Sequence, residues 1–467
     1  MAVSAAQPNL IDLTGAHAPV AEVCALLRAA GGRPLLVGGC VRDALLGLPI
    51  GEIDIEVFGL GTRQVEAALR RRFGIVTVGA AFGVTKVKDH PIDVSVPRRE
   101  NRTGAGHRDF DVQADPTMTP KDAAERRDFT VNAILWDPAT GELLDPWGGV
   151  ADLQQKVFRH VSAKFSEDPL RVLRAMQFAA RFNFTVAPET IELCRGLTQE
   201  GLPPERLMEE WKKLLLRGRQ PSRGLRFLQD CGWLRFYPGL QATVDVPQDP
   251  VWHPEGCVWT HTYLCLDAFA AERTGNDEED LIVGLAVLLH DLGKATTTKR
   301  EADDRWHAYG HEAASVPLAE AFLAQLTREV KLIEAVLPLV RWHAQPHELH
   351  KAQAGEGAVR RLANKVGRID RLIRVDSADR KGRNQAWREE PSPQGVWLLA
   401  IAAKLNIQDS MPKRILLGRH LIASGYKPAG WFSEVLDEAF EAQMDGVFID
   451  EATGLVWLKE RMSRQAV

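Results

Sequence analysis

The chain has 467 residues, of which 45% are hydrophobic and 26% are charged, and its formal net charge is −4. This length exceeds one ordinary domain and predicts three or four compact units with the composition of a folded globular protein. The slightly acidic balance argues against a protein that coats nucleic acid through overall charge, but arginine-rich stretches at 70–74 and 96–108 allow a local basic groove.

The N-terminus, the apolar runs and the cysteines indicate where in the cell the protein is expected. The N-terminus lacks a basic and apolar signal pattern, and no apolar run reaches the roughly 18 residues that a membrane span needs. The six cysteines are scattered without C-x-x-C pairs, which predicts free thiols and disfavours a zinc ribbon. We therefore expect a soluble, cytoplasmic protein without a membrane partner.

Residues 1–147 are predicted to form an α/β unit that opens with a helix. Short β-rich runs alternate with helical stretches, and these runs are PLLVGG, GEIDIEVFG, GIVTV, GVTKVK and PIDVSVP. The segment 97–122 is polar and has no periodicity. It predicts a long loop, of a kind that is usually functional or mobile.

The rest of the chain is predicted to be helical. Periodic stretches such as DPLRVLRAMQFAARF and PERLMEEWKKLLL indicate a helical body over 148–243. The run VDVPQDPVWHPEG contains three prolines and predicts a linker at the start of a second helical unit, 244–404, which carries histidines. Residues 405–467 are predicted to be a small helical tail.

A glycine pair marks the first candidate binding site. An apolar strand ending at Val37 runs into Gly38 and Gly39 and then into a helical stretch. In this arrangement backbone N–H groups can approach a phosphate at the start of the helix, and Arg42 lies nearby in the sequence. The pattern predicts a phosphate-binding turn.

Three carboxylates alternate along the next predicted strand. Glu52, Asp54 and Glu56 share one face because successive side chains of a strand point to opposite faces. Like charges this close repel, and a hard divalent cation such as Mg²⁺ would relieve the repulsion. The alternative is an edge strand with a solvated acidic face. Together with the glycine turn, the pattern favours a nucleoside triphosphate and its Mg²⁺.

Four motifs in a fixed order resemble those of a known family. They are LVGGCVRDALLG followed by EIDIEVFG, then RRDFTVNAI, EDPLRVLRAMQF and ERLMEEWKKLLL. This order resembles that of class II tRNA nucleotidyltransferases, the CCA-adding enzymes, whose close relatives are bacterial poly(A) polymerases. The resemblance implies an α/β polymerase-beta-type head followed by all-α body, HD and tail domains. It also implies Mg²⁺-dependent addition of CCA to tRNA from CTP and ATP.

The resemblance assigns roles to the carboxylates. The family's Asp-x-Asp metal pair falls on Glu52 and Asp54, so that glutamate replaces the first aspartate. Because all three carboxylates share a face, a shifted pair of Asp54 and Glu56 stays open. Asp93, in PIDVSVP, is the candidate third carboxylate. Two Mg²⁺ ions held in this way would activate the RNA 3′-hydroxyl and stabilise the leaving pyrophosphate.

The motif RRDFTVNAI is the candidate contact with the nucleotide. By resemblance, Arg127 and Asp128 contact its sugar and phosphates, and Asn132 supports them. The alternative is a helix start that carries an ordinary Arg–Asp ion pair.

Asp168, Arg171 and Arg174 are the candidate base-reading residues. Residues three apart are neighbours on a helix surface. A carboxylate accepts hydrogen bonds and a guanidinium donates them, so an Asp–Arg pair matches cytosine and adenine and leaves uracil and guanine unpaired. The alternative is a plain i, i+3 salt bridge. Gln177 stands where relatives often have arginine, so a further nucleotide contact is not expected there.

The polar segment over 100–121 bears on the product. Family members that complete CCA carry a flexible segment between the third carboxylate and RRDFT, and this chain has one. The resemblance thus favours full CCA addition, with CC-only, A-only or poly(A) synthesis as alternatives.

The second helical unit carries an HD-type pattern. His261, the adjacent His290 and Asp291, and the downstream Asp379 are the predicted ligands of a divalent metal, either a transition metal or Mg²⁺. Candidates for a second site are His311 and His343. By resemblance, this extension implies metal-dependent phosphatase and cyclic phosphodiesterase activity. Two further alternatives are an RNA-binding or HD-regulatory protein with an inactive polymerase head, and a hydrolase whose head only recognises substrate.

Overall fold

The computed structural model describes residues 3–4, 7, 9–78, 84–102, 110–383, 387 and 389–465. The chain folds into two compact units, one formed by residues 1–211 and 223–233 and the other by residues 212–222 and 234–467. The finer division into head, body, HD and tail domains stays a prediction.

Up to residue 233 the chain alternates strands and helices and then becomes helical. The strands are β1 (Val3–Ser4), β2 (Arg33–Val37), β3 (Ile53–Phe58), β4 (Ile75–Val78), β5 (Val84–Val87), β6 (Ile92–Ser95), β7 (Arg98–Arg102), β8 (Phe110–Ala114), β9 (Leu135–Trp136), β10 (Leu143–Leu144), β11 (Val157–Phe158) and β12 (Thr185–Val186). The α-helices are α1 (Ala18–Ala29), α2 (Gly39–Leu45), α3 (Thr62–Leu69), α4 (Pro120–Ala124), α5 (Gly149–Gln155), α6 (Leu170–Phe182), α7 (Pro188–Arg195), α8 (Pro204–Arg217) and α9 (Pro221–Asp230).

Eight of the described strands form one mixed sheet. Its order is β1-β10-β9-β2-β3-β6-β5-β4, with β3 and β6 parallel and every other neighbouring pair antiparallel. Ile53, Ile55 and Val57 of β3 are buried, as their alternation predicts. The five predicted β-rich runs are all strands of this sheet, so that part of the prediction is confirmed.

The segment predicted as a long loop contains regular structure. Strands β7 and β8 pair antiparallel, with Arg98 opposite Ala114, and α4 follows them. The prediction missed this hairpin because polar, arginine-rich strands lack an apolar period. Residues 103–109, which belong to the segment expected to favour full CCA addition, lie outside the described residues.

An aromatic cluster joins α6 to β11 and to Phe129 of the RRDFTVNAI motif. The rings of Phe158 and Phe178 stack with centroids 5.5 Å apart, and Phe129 meets both edge-on. The apolar spacing in LRVLRAMQFAARF gives α6 the buried face that this cluster requires. These contacts fix α6, and therefore its arginines, against the motif that begins at Arg126.

The second unit is almost entirely helical. Its helices are α10 (Pro238–Gln241), α11 (Val258–Ala271), α12 (Asp277–Leu289), α13 (Lys294–Thr297), α14 (His311–Leu326), α15 (Val330–Trp342), α16 (Gln345–Lys351), α17 (Glu356–Val366), α18 (Ile369–Arg383), α19 (Pro393–Lys404), α20 (Gly418–Ala423), α21 (Trp431–Asp445) and α22 (Glu451–Gln465), with a hairpin of β13 (Lys299–Arg300) and β14 (Trp306–His307). No described helix is long and apolar enough to cross a membrane.

The segment 244–256 differs from the predicted linker. The backbone N–H of Val258 donates to the carbonyl of Val246 at 3.0 Å, and Arg305 Nε donates to Asp249 Oδ2 at 2.6 Å. The segment is therefore a packed loop of the second unit. The sequence pattern did not reveal this, because the contacts are made by residues that lie between the prolines.

The C-terminal residues form the predicted helical tail. A small core joins α20, α21 and α22 through Leu421, Val435 and Leu458, all nearly inaccessible to solvent. All six cysteines are free thiols, which confirms the prediction from their spacing.

Candidate functional site

The glycine turn brings the end of β2 close to the carboxylate strand. Gly38 has a φ of +80°, a conformation that side chains with a Cβ rarely adopt. A Cβ on Gly38 would lie 3.3 Å from Asp54 Oδ2 and 3.4 Å from Arg127 Nη1. Gly38 and Gly39 are thus at the place that the sequence predicts, beside the acidic strand, and their contact with a phosphate stays a prediction.

Arg42 is buried beneath this turn. Its Nη1 donates to Asn132 Oδ1 at 2.6 Å and its Nε donates to Asp43 Oδ1 at 2.8 Å, while the guanidinium lies 4.5 Å from the centre of the Phe182 ring. The structure therefore shows Arg42 joining α2 to the RRDFTVNAI motif. Its predicted contact with a nucleotide phosphate remains untested.

The predicted metal carboxylates meet at the centre of the sheet. Asp54 of β3 and Asp93 of β6 are register partners on parallel strands, and Glu52 stands just before β3. Packing of protein groups around the Asp54 carboxyl raises its pKa, and the negative charges of Asp93 and Glu52 raise it further, whereas Arg127 acts in the opposite direction. Gathered carboxylates that disfavour one another's charge suit a bound cation.

Glu56 shares the strand but not the environment. Its carboxylate is inaccessible to solvent and accepts from Arg126 Nη2 at 3.2 Å and from Arg127 Nη2 at 3.3 Å. Burial alone would raise its pKa, but the two guanidinium groups hold the pKa below its usual value. The oxygens of Glu56 are therefore used by arginines, which favours Glu52 and Asp54 over the shifted pair.

Lys86 was missed by the sequence reasoning. It lies on β5 opposite Asp93, and its Nζ is 2.7 Å and 3.0 Å from the two carboxylate oxygens. Only the antiparallel register of β5 and β6 brings it there, so the linear pattern held no signal for it.

Asp128 is a buried junction between the motif and α6. Its carboxylate accepts from Asn132 Nδ2 at 2.9 Å, from Arg174 Nε at 2.8 Å and from its neighbour's backbone N–H, that of Phe129, at 2.8 Å. Desolvation acts to raise the pKa of Asp128, but Arg174, Asn132 and Arg171 together outweigh it and the pKa is lowered. These partners take up both oxygens, and the predicted contact with the nucleotide sugar stays a prediction.

Asp168 lies before the helix rather than on it, so that part of the prediction is wrong. Helix α6 begins at Leu170, and Asp168 has an extended backbone because the following Pro169 disfavours the helical conformation. Its carboxylate accepts from Arg206 Nη2 of α8 at 2.8 Å. Arg171 donates instead to the carbonyls of Lys164 and Arg126, both at 2.6 Å.

Asp168 and Arg171 therefore do not form the i, i+3 salt bridge that was the alternative interpretation. Arg206 was missed because it approaches from another helix, 38 residues away in sequence. Arg174 and Asp128 form a pair that the sequence reasoning placed in separate motifs.

The second unit gathers the predicted HD residues around one point. His261 lies on α11, His290 and Asp291 follow α12, and Asp379 lies on α18. His261 Nε2 is 3.0 Å from Asp379 Oδ1 and 3.6 Å from Asp291 Oδ2, and His290 Nε2 is 3.3 Å from Asp291 Oδ2. All four predicted ligands are therefore brought together.

His311 and His343 join this group through Asp291. The ligand atoms of Asp291, His311 and His343 lie within 4.8 Å of one another, as do those of a second set that includes Cys265 with His261, His290 and Asp379. Cys265 was not singled out from the sequence. Gly293 allows the approach of α14, since a Cβ there would lie 2.2 Å from the carbonyl oxygen of His311.

Three of these histidines are held in one tautomer. The Nδ1 atoms of His290, His311 and His343 each lie 2.8 Å from a backbone carbonyl oxygen, which can only accept, so Nδ1 carries the proton. Their Nε2 atoms face inwards, and those of His311 and His343 are 3.2 Å apart. The facing Nε2 atoms of His311 and His343, and a buried His290 Nε2 beside the Asp291 carboxylate, fit a bound metal ion.

A cavity of about 740 Å³ opens onto this centre. Its lining combines the metal-ligand candidates with cationic groups, among them Lys294, Arg380 and Arg383, and with the aromatic side chains of Trp306 and Tyr309. Lys294 Nζ forms an ion pair with Asp291, with Nζ 2.8 Å from Oδ2. Such a cavity can admit an anionic substrate next to the metal-ligand candidates.

Three family profiles match successive parts of the chain. The family described as "Poly A polymerase head domain" matches residues 35–159, "Probable RNA and SrmB- binding site of polymerase A" matches 183–243, and "HD domain" matches 258–402. The order of these matches agrees with the predicted order of domains.

Solved structures show the same fold. The CCA-adding enzyme of Bacillus stearothermophilus in complex with CTP has a TM-score of 0.65 and 21% identity, covering 97% of this chain and 99% of that one. The Thermotoga maritima CCA-adding enzyme complexed with tRNA has a TM-score of 0.61 and 19% identity, covering 99% and 100%. The predicted fold class is therefore confirmed.

Curated relatives are closer in sequence. The chain is 38% identical over 390 residues to the multifunctional CCA protein of Stenotrophomonas maltophilia (strain R551-3), which covers 80% of this chain and 92% of that protein. It is 36% identical over 387 residues to the multifunctional CCA protein of Azoarcus sp. (strain BH72), covering 80% and 90%. The chain belongs to the family of multifunctional CCA proteins.

Proposed function

We propose that the chain adds C, C and A to the 3′ end of tRNA, using CTP and ATP in a Mg²⁺-dependent nucleotidyl transfer. The observation that carries the proposal is the pairing of Asp54 and Asp93 on parallel strands, beside Glu52 and the Gly38 turn. Family membership supports it, as do the names of the relatives and the titles of the similar structures.

Glu52, Asp54 and Asp93 would hold the Mg²⁺ ions. The bound ions would activate the 3′-hydroxyl of the RNA and stabilise the leaving pyrophosphate. Arg127 stands between Glu56 and the Gly38 turn, where its positive charge can face the nucleotide phosphates. Asp128 and Asn132 fix the surrounding motif through Arg174 and Arg42.

Asp168 and Arg171 would read the incoming base. Asp168 accepts from the amino group of cytosine or adenine, and Arg171 donates to the adjacent ring nitrogen. A guanidinium has five N–H donors, so Arg171 can keep its bonds to the carbonyls of Lys164 and Arg126 while it donates to a base. Arg206 orients Asp168 in this arrangement.

The test is incubation with tRNA that ends before CCA, with labelled CTP and ATP supplied separately and together. Full addition predicts two cytidines with CTP alone and three nucleotides with both. A product that stops after CC, that contains only A, or that extends into a poly(A) tail identifies one of the alternative polymerases. No product from a folded chain would refute the proposal and favour an inactive head.

We also propose that the second unit hydrolyses phosphoesters with the help of a divalent metal. His261, His290, Asp291 and Asp379 would hold one ion, because Asp291 contacts both histidines. Asp291, His311 and His343 would hold a second. A bound divalent metal lowers the pKa of its water and so supplies a nucleophile. Lys294, Arg380 and Arg383 line the cavity and can bind the anionic group. The test is release of phosphate, or opening of a 2′,3′-cyclic phosphate, with Mn²⁺, Ni²⁺ or Mg²⁺ added singly after chelation.

A further inference from the structure

The loop over 244–256 contacts the histidine centre at two points. Near its start, Gln248 Oε1 accepts a hydrogen bond from Lys294 Nζ at 2.9 Å, and the same Nζ forms an ion pair with Asp291. Near its end, Glu255 Oε1 lies 2.7 Å from His261 Nδ1. A segment that the sequence presents as a linker thus holds two side chains of the site.

The Glu255 carboxylate is buried between two histidines. Its side chain is 5% exposed, and Oε1 also accepts from His253 Nδ1 at 2.9 Å. An ionised carboxylate only accepts hydrogen bonds, so His261 must carry a proton on Nδ1. The Nε2 atom of His261 faces the carboxylates of Asp379 and Asp291, and a metal ion bound among these acceptors would use the Nε2 lone pair.

His261 differs in this respect from the other histidines of the centre. His290, His311 and His343 donate from Nδ1 to a backbone carbonyl three residues earlier. His261 lies within α11, and its Nδ1 instead faces a carboxylate oxygen that lies outside the helix, 2.7 Å away. A carboxylate partner both orients a ligating imidazole and increases its basicity.

We propose that Glu255 is a positioning residue that holds His261 in the orientation and tautomer needed to bind a metal ion through Nε2. The proposal rests on the hydrolase function proposed above. Carboxylate partners of ligating histidines contribute about 10- to 100-fold to metal affinity, so the expected effect of removing the charge is a loss of that size.

The test uses calorimetry to measure Mn²⁺ binding to the full-length chain, from which bound metal has first been removed with a chelator. His261→Ala supplies the background from Mn²⁺ that binds elsewhere, including at the polymerase carboxylates. Glu255→Gln is expected to weaken the His261-dependent binding about 10- to 100-fold, with an unchanged circular dichroism spectrum. If the Gln variant does not fold, Glu255→Asp keeps the charge but shortens its reach, and it is expected to lose part of the affinity.

Asp249→Asn is the matched control. It makes the same acid-to-amide change in the same loop, at a carboxylate that is bound to Arg305 and to backbone N–H groups. Its Mn²⁺ affinity is expected to stay within about twofold of the unmodified chain, a smaller effect than the 10-fold minimum expected for Glu255→Gln.

A second readout does not depend on metal. In the metal-free, ¹⁵N-histidine-labelled chain, His261 is expected to show a protonated Nδ1, and Glu255→Gln is expected to shift or redistribute that signal. Equal Mn²⁺ affinity and an unchanged His261 signal in Glu255→Gln would overturn the proposal. Equal binding by the unmodified chain and by His261→Ala would instead refute the metal centre itself, which is a separate result.

Discussion

Asp54 and Asp93 lie opposite each other on two parallel strands, and Glu56, two residues further along the first strand, binds two arginines instead. Asp54 and Glu56 of EIDIE therefore have different environments although they alternate on one strand. Asp54 is exposed to solvent at the site, whereas Glu56 is fully buried. This difference leads to the first prediction.

Asp54→Asn and Glu56→Gln should fail in different ways. Asp54→Asn should lower nucleotide addition by more than about 100-fold at unchanged stability, because even outer-shell partners of metals contribute about 10- to 100-fold. Glu56→Gln should lower the free energy of unfolding by about 3 kcal/mol, because it leaves Arg126 and Arg127 without their buried counter-charge. Addition assays and urea unfolding check this. A Glu56→Gln chain of normal stability that has lost addition would support the shifted metal pair.

Lys86→Met should lower the Mg²⁺ concentration that gives half-maximal nucleotide addition. Lys86 is about half exposed, and its ammonium group competes with a cation for Asp93. An exposed ion pair is worth at most about 1 kcal/mol, so the shift should not exceed about fivefold. Arg72→Met removes an exposed cation that pairs with Glu22 and serves as the control. A higher Mg²⁺ requirement in Lys86→Met would show that the lysine assists the site rather than competing in it.

Asp168→Ala should permit incorporation of UTP or GTP and slow the use of CTP and ATP. One base-edge pair is worth about 1–3 kcal/mol of discrimination, or one to two decades in relative rate. Arg206→Met is the matched variant, because it removes the partner of Asp168 but keeps the carboxylate. It should slow addition without admitting UTP or GTP. Continued rejection of both nucleotides by Asp168→Ala would show that Asp168 only supports Arg206.

Asp128→Asn should lower the free energy of unfolding at neutral pH. The difference in this free energy between the variant and the unmodified chain should become smaller in acid. The pKa of Asp128 is lower in the folded chain than its unfolded value of about 3.9. The ionised carboxylate therefore stabilises the folded chain above that value, and this stabilisation is lost as the pH falls through the folded pKa. The loss at pH 7 should be about 1–3 kcal/mol, the range for hydrogen bonds to a charged group. Urea unfolding at pH 7 and near pH 3 measures it, and a constant difference would contradict the prediction.

His343→Ala should remove one of two metal equivalents from the histidine centre. His343 belongs to the group with Asp291 and His311, whereas His261 belongs to the other group. Elemental analysis after metal loading should give one equivalent fewer, and phosphoester hydrolysis should fall while CCA addition remains. The double variant His290→Ala, Asp291→Ala should lose the hydrolytic activity altogether. Loss of CCA addition in a folded double variant would show that the two activities are coupled.

The sequence by itself determined the order of the elements and the set of chemical groups. Alternating apolar residues defined the strand that carries Asp54, and the adjacent His290 and Asp291 in an apolar run identified the metal-ligand candidates. These features are local, because a strand or helix period and a short motif are properties of neighbouring residues. Patterns of this kind predicted an α/β unit followed by helices, and the resemblance of the motifs to a known family implied the fold class; the four predicted HD residues are brought together by the structure.

Only the tertiary structure decided which groups meet. Lys86 reaches Asp93 through strand register, Arg206 reaches Asp168 from another helix, and Glu255 reaches His261 from a proline-rich loop. No periodicity links the members of these pairs, since their partners are chosen by packing between elements. The proline after Asp168 likewise placed that residue before its helix, a boundary that a count of i, i+3 spacing does not detect. Hydrogen bonds and charges act through space, so the roles of these residues became visible only once the chain was folded.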